Sequence, residues 1–231
     1  MTFYNNYLDL QLTIAGAWLQ RQRAKAEWQL ISRHLSNVNN VLEIGPGHGV
    51  FSTVVRDHHS SYVAIESNRL IAETVARYNS QVCLSLAPPL PFVSSCFDVA
   101  YASHVIEHMP SPLLALEFIQ EAYRVLRPGG LLVLSAPDML GFGNTFWDAD
   151  YTHTFPVTSR RLRQLMSDTQ LEVVAITWFS GPVSGFSHWP LSLGARLFPL
   201  GLFGWNQGLF TRLERFRLSF LRNICMIARK P

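Results

Sequence analysis

Gly45, Gly47 and Gly49 stand at two-residue spacing directly after the short apolar run Val41-Leu-Glu-Ile44. Glycine in such a turn permits positive φ and lets a ligand approach the backbone. The short helix expected from Gly49 to Arg56 would present free N–H groups and partial positive charge at its start. The spacing is G-x-G-x-G, not the G-x-G-x-x-G of dinucleotide pyrophosphate loops. The tighter loop, with Pro46 inside it, suits a nucleoside with a short cationic tail better than a pyrophosphate. A glycine-rich strand-to-helix turn also occurs as plain structure, so a second piece is needed. Glu66 supplies it: 21 positions after Gly45, it ends the next apolar run. An acid there can accept hydrogen bonds from both hydroxyls of a ribose.

Proton chemistry has its own candidates in His104, His108, Asp148, Asp150 and His153. His153 lies in Trp147-Asp-Ala-Asp-Tyr-Thr-His-Thr-Phe155, just after an expected fifth strand. Active sites of open α/β sheets gather beyond the carboxyl ends of strands, which favours His153, His104 and Asp150 as catalytic. The plain readings are a loop histidine bonded to backbone for His153 and a helix cap for His108. Asp148, Asp150 and His153 are also metal-ligand types. One loop is thin support, and no metal is expected.

Positioning these residues requires alternating strands and helices. Strands are expected at Val41–Ile44, Tyr62–Ile65, Val82–Leu86, Phe97–Tyr101, Leu131–Ser135, Leu171–Trp178 and Phe220–Ala228. Short apolar runs bounded by turn signals suit buried parallel strands. Residues 1–36 read as helical. Residues Leu70 to Tyr78 place Leu70, Ile71, Thr74, Val75 and Tyr78 at helical spacing. Ser111-Pro112 is an N-cap followed by proline at the first helical position. That helix should stop before Arg127-Pro-Gly-Gly130. Thr158 caps a further helix with Leu162, Leu165 and Met166 inward. The pattern implies a Rossmann-like α/β fold: a seven-stranded, mostly parallel sheet with helices on both faces. The last strand is antiparallel, because the last two strands lack a short crossover helix.

At these residues the sequence resembles the class I S-adenosylmethionine-dependent methyltransferases, over roughly Leu35 to Thr177. Glu43-x-Gly45-x-Gly47-x-Gly49 is similar to the family's cofactor loop, and Ala64-Ile-Glu66 to its ribose strand. Leu90-Pro-Phe92 with Cys96-Phe-Asp-Val99 is similar to its segment around strand four. Ser103-His-Val-Ile-Glu-His108 and Val125-Leu-Arg-Pro-Gly-Gly-Leu-Leu132 are similar to its turns after strand four and before strand five. The resemblance implies S-adenosylmethionine as cofactor. Glu43, Gly45, Pro46, Gly47 and Gly49 would face its methionine part. Glu66 would hold the ribose, with Ser67 or Asn68 at its edge, and Ser103 and His104 would lie near the sulfonium. One departure concerns adenine. Leu86 stands where the family often has an aspartate, so either the backbone near Ala87 holds the base or cofactor affinity is reduced. The resemblance to quinone-biosynthesis and polysaccharide-cluster enzymes implies a small-molecule or glycan acceptor. The apolar insertion from Gly181 to Thr211 would also suit a lipid-linked one. Methylation at oxygen is the expectation, although no residue names the acceptor atom.

Composition bounds the alternatives. The 231 residues are 48% hydrophobic and only 15% charged, with net charge +3, which argues against disorder. That charge, and the lack of a base-methylation motif, argue against a nucleic-acid partner. An NAD(P)-dependent oxidoreductase would want the longer glycine loop and a hydride-relay set. A non-catalytic nucleotide-binding relative is supported only by Leu86. Cys83, Cys96 and Cys225 lie in apolar runs without a CxxC, and buried reduced thiols are expected.

The chain reads as a single domain. Residues 1–36 form the helical segment, 37–178 the cofactor-binding core, 179–217 an apolar insertion and 218–231 the final strand. From Gly181 to Thr211 the insertion carries Phe186, Trp189, Phe198, Phe203, Trp205 and Phe210 with one charged residue, Arg196. It reads as a lid over the acceptor, with peripheral membrane contact through 181–217 beside the arginines that follow. Core packing or an oligomer contact would use the same residues. The start MTFYNNYLDLQLT lacks the basic head and apolar core of a signal peptide, and no clean 18-residue apolar window appears. A cytoplasmic location, at most peripheral to the inner membrane face, is expected.

Overall fold

The computed structural model describes residues 14–77, 81–197 and 209–231. The first 13 residues, Tyr78, Phe198, Phe203 and Trp205 lie outside the described residues, as do the side chains of Phe186 and Phe210. The chain opens with helix α1 (Ile14–His34), then β1 (Asn40–Ile44), α2 (Val50–Asp57), β2 (Ser61–Glu66), α3 (Arg69–Ala76) and β3 (Gln81–Leu84). Next come β4 (Phe97–Ser103), a 3₁₀ turn (Ile106–His108), α4 (Pro112–Val125) and β5 (Leu126–Pro137). The last third holds α5 (Met139–Phe142), α6 (Thr145–Ala149), α7 (Ser159–Asp168), β6 (Glu172–Ser180), β7 (Val183–Ser184), α8 (His188–Leu197), α9 (Leu209–Ser219) and β8 (Asn223–Arg229).

The strands form one sheet in the order β3-β2-β1-β4-β5-β8-β6-β7. β1 is parallel to β2 and β4, and β4 is parallel to β5. β8 runs antiparallel between β5 and β6. The antiparallel last strand is therefore as expected. The strand count is eight, not seven. Gly181, at φ +58°, turns the chain so that Val183–Ser184 pairs back on Phe179–Ser180. A two-residue strand leaves no alternation to read.

Both faces of the sheet are covered, which is why its central strands are apolar along their length. Leu42, Ile44, Ala100, Leu132 and Leu134 pack with α4 and α7 residues such as Phe118, Ile119, Leu162 and Met166. Val41, Val99, Tyr101 and Val133 pack on the other side with Trp28, Ile31, Phe51 and Val54 of α1 and α2.

The caps form as their residue types require. Ser111 Oγ accepts from the Leu114 amide at 3.2 Å, and Thr158 Oγ1 from Arg161 at 3.2 Å. Asn68 caps α3 through the amides of Leu70 and Ile71. Three local expectations are corrected. α3 buries Ile71, Ala72 and Val75, while Leu70 is exposed, because the buried stripe is one residue further round. β5 begins at Leu126, since Leu126 pairs with Phe97 before the Gly129 turn. Cys225 is buried, but Cys83 and Cys96 are only half-buried, because they sit at the sheet edge and in a loop; all three are free thiols.

Asp98 anchors the amino end of the sheet. Its Oδ2 accepts from the amides of Asn39 at 2.6 Å and Asn40 at 2.8 Å, and Arg127 pairs with its other oxygen. Burial would raise its pKa, but Arg127 and the two amides more than offset this and hold the carboxyl below its ordinary value. A carboxyl depressed in the folded state stabilises above its unfolded pKa and loses that contribution as pH falls through the folded one. Asp98→Ala should therefore cost about 2–3 kcal/mol at neutral pH, from two orphaned amides and a lost ion pair. Urea unfolding checks this, and the gap to the parent should close as pH drops below about 4.

Candidate active site

The strand order reverses between β1 and β4, and ligands of open α/β sheets bind outside the carboxyl ends at that point. Ile44 pairs with Ala102 there, and Ile44 also pairs with Ile65. The glycine loop, Glu66, Ala87 and the Ser103–His108 turn thus emerge side by side from β1, β2, β3 and β4. A depression of about 610 Å³ lined by Lys25, Trp28, Asp57 and His58 lies at the opposite end of the sheet, by the last turn of α2. It carries none of these groups.

Gly45, Gly47 and Gly49 have φ of +71°, +52° and +71°. The Gly45 amide donates to the Ile65 carbonyl, and the Gly49 amide to that of Pro46 at 2.8 Å. A Cβ at Gly45 would lie 2.7 Å from Val105 Cγ2, so side chains are excluded where the two loops meet. That contact also puts the His104 turn directly against the glycine loop.

Glu66 is 9% exposed. Its Oε1 accepts from the Asn68 amide at 2.7 Å and from Ser67 Oγ at 3.4 Å, which aims the carboxylate along the end of β2. Burial raises its pKa, and the bonds from Asn68 and Ser67 offset part of the rise. Beyond β3 the Ser85 amide bonds the Glu66 carbonyl, Ala87 is half-buried and Leu86 is 72% exposed.

Glu43 points to the α1 side and is buried, accepting from Tyr62 Oη at 2.5 Å. Burial pushes it up to about 8; the Tyr62 bond opposes that, and neighbouring Glu27 adds to it. Glu27 in turn accepts from Tyr101 Oη at 2.5 Å and from Arg23. A carboxyl raised in the folded state contributes fully below its unfolded pKa and loses that contribution as pH rises through the folded value. Stability should therefore decline between about pH 4.5 and 8. Glu43→Gln, which keeps an acceptor for Tyr62, should flatten that decline. It should also raise stability at pH 9 by on the order of 1–3 kcal/mol, as read by denaturant midpoints.

His104 ends β4 in a left-handed conformation, φ +57°, which costs a non-glycine residue energy and collects at functional sites. Its amide bonds the Ser135 carbonyl, and its Nδ1 lies 3.2 Å from Glu107 Oε1. The His104 side chain is 45% exposed, whereas Glu107 is fully buried. Burial would raise the Glu107 pKa, but His104 and His108 hold the carboxyl below its ordinary value.

The segment after β5 folds onto this turn. Thr154 and Phe155 amides bond the Glu107 carbonyl. Asp150 Oδ1 accepts from the Thr152 amide and hydroxyl at 2.8 and 2.6 Å, and Thr152 Oγ1 meets His108 Nδ1 at 2.9 Å. His153 Nδ1 meets the Phe146 carbonyl at 2.6 Å, and its ring lies 5.0 Å from that of His108. His104, Asp150 and His153 are thus joined through Glu107, His108 and Thr152. Sequence reasoning assigned Glu107 no role. The available signal was its place three residues after His104 within one tight turn, but nothing in the sequence says that its side chain is buried.

The insertion docks on the same segment. Arg222 pairs with Asp138 at 2.6 Å and stacks over Trp189, and Arg217 bonds the Ala195 carbonyl at 3.0 Å. Phe142, Phe146 and Leu221 form a small core beneath it. Among the described residues no helix is long and apolar enough to cross a membrane.

A Rossmann-like sheet with a glycine cradle at its switch point and a buried acid one strand over defines the class I S-adenosylmethionine-dependent methyltransferase fold. The chain belongs to the methyltransferase domain family, whose model matches residues 17–176. An uncharacterized methyltransferase of Mycobacterium sp. (strain KMS) is 32% identical over 116 residues, covering 49% of this chain and 45% of that protein. The chain therefore spans less than half the length of this relative. An uncharacterized methyltransferase of Mycolicibacterium gilvum is 29% identical over 202 residues, covering 82% and 75% of the two chains. The fold matches that of an SAM-dependent methyltransferase from Archaeoglobus fulgidus with TM-score 0.63 at 18% identity, over 91% of this chain and 94% of that one. S-adenosylmethionine is the cofactor of this family. The residues present fit it: three left-handed glycines exclude side chains from the cradle, and the Glu66 carboxylate is fixed beside it.

Proposed function

We propose that the protein methylates an oxygen of a small-molecule acceptor, lipid-linked or glycan, with His104 as the base. The observation that carries this is the His104–Glu107 pair standing against the glycine loop through Val105. Gly45, Pro46, Gly47 and Gly49, with Ser103 opposite, would hold the methionine end of S-adenosylmethionine, while Glu43, turned to the α1 side and bonded to Tyr62, would support the loop from beneath. Glu66 and Ser67 would hold its ribose, and the backbone at Ala87 its adenine. When bound, that cofactor supplies a methyl group on an already activated sulfonium. The chain's work is then alignment and proton removal. Glu107 beside Nδ1 favours the tautomer with its proton there, leaving Nε2 to take a hydroxyl proton from the acceptor. Asp150 and His153 act from the second loop as positioning residues, since their hydrogen bonds run to Thr152 and the Phe146 carbonyl. The exposed Trp189, Leu193 and Leu197 beside Arg196 support a lid that meets an apolar acceptor, and peripheral contact with an anionic membrane surface.

The test has two arms. Calorimetry should show S-adenosylhomocysteine binding to the intact chain. A labelled-methyl assay against cell extract, fractionated into lipid, glycan, nucleic acid, protein and metabolites, should place label in the lipid, glycan or metabolite fraction. Label confined to nucleic acid or protein would overturn the acceptor class. Binding without any transfer would favour a non-catalytic role.

A further inference from the structure

We propose that Glu107, His108 and His153 form a binding site for one divalent transition-metal ion, with zinc the best match. One potential ligand atom from each residue lies within 4.8 Å of the others. The sequence offered Asp148, Asp150 and His153 only as ligand types and led to no expected metal; in the fold the Asp150 carboxylate is engaged by Thr152. The fold substitutes Glu107, delivered from the turn after β4.

Two observations point to a cation. First, both Glu107 carboxylate oxygens are fully buried; Oε1 faces only His104 Nδ1 at 3.2 Å, and Oε2 has no hydrogen-bond partner. A buried carboxylate oxygen left so is costly, and a coordinated cation would relieve that cost. Second, both histidines are oriented as metal ligands usually are, by a bond from the other ring nitrogen. His153 Nδ1 lies 2.6 Å from the Phe146 carbonyl, which can only accept, so the proton sits there and the lone pair is on Nε2. Thr152 Oγ1 donates to Asp150, so it accepts from His108 Nδ1, which puts the His108 lone pair on Nε2 as well. The result is a carboxylate–threonine–histidine support of the kind that fixes ligand tautomers.

Two imidazoles and one carboxylate favour zinc, cobalt or iron over magnesium and calcium, which prefer oxygen ligands. Three protein ligands leave a coordination position open. The inference stands without methyl transfer, because its readout is metal content.

The full chain, stripped with a chelator, is titrated with Zn²⁺ by calorimetry and checked by elemental analysis. One Zn²⁺ per chain is expected, with visible absorption bands on Co²⁺ substitution and no competition from millimolar Mg²⁺. Glu107→Gln and His153→Ala should each weaken Zn²⁺ binding at least ~10-fold, the loss typical even for supporting partners of a metal site. Circular dichroism and S-adenosylhomocysteine binding show that each variant is folded, and if Glu107→Gln does not fold, His153→Ala decides. No uptake by the parent chain, or uptake unchanged in the folded variants, would mean an adventitious ion only and overturn the site.

Discussion

Glu66→Ala is expected to weaken S-adenosylhomocysteine binding about 5- to 150-fold, the equivalent of about 1–3 kcal/mol for hydrogen bonds to a charged group. The carboxylate is buried at the end of β2, and Ser67 and Asn68 hold one of its oxygens in place. Little ordering is left to be done when a ribose arrives, so most of the bond energy reaches the ligand. Glu66→Gln keeps one oxygen acceptor and should lose less. Because burial raises the Glu66 pKa above its ordinary range, parent affinity should begin to fall at a higher pH than for an exposed glutamate. That pH limb should be missing in both variants. Unaltered affinity in a folded Glu66→Ala protein would remove this residue from the cofactor site.

His104→Ala carries the second large effect. Methyl transfer to the extract fraction that accepts label should slow by about 10²–10⁴, the usual contribution of a positioned base. S-adenosylhomocysteine affinity should hold within about twofold, since proton abstraction contributes to the rate and not to ground-state binding. The basis is geometric. His104 is the exposed member of a pair whose other member, Glu107, is entirely buried and cannot swing away. The pH–rate profile separates a base from a packing residue: its acidic limb should disappear in the variant. A slowing of less than about fivefold, or an intact limb, would sink the assignment. An amine acceptor would give that result, because it needs only an escape route for its proton.

Much of this was legible in the sequence because the signals are local. Val41–Ile44 followed by three alternating glycines can hardly form anything but a buried strand and a left-handed turn. Ser111-Pro112 and Thr158 announce helix starts through bonds to amides three residues away. Glu66 is recognisable because a parallel sheet brings the ends of consecutive strands together. The misses share another cause. The β7 hairpin and the early start of β5 depend on pairing with Phe179 and Phe97, which are remote or fall outside any periodic pattern. Leu70 looked inward because α3 is too short for its stripe to be fixed to within one residue.

The sequence by itself determined the alternation of strands and helices, the glycine turn and the acid at the end of the next strand, each written in the spacing of neighbouring residues and in the backbone freedom of glycine. The cofactor came from the resemblance those motifs carry, not from their spacing. Only the tertiary structure decided that Glu107 is buried, that the loop after β5 folds back to place His153 and Thr152 on the turn after β4, and that His104 points outward from it. Those contacts join segments some 45 residues apart (His108 to Thr152 spans 44). Their geometry comes from packing around a common core, which no local pattern of residue types encodes.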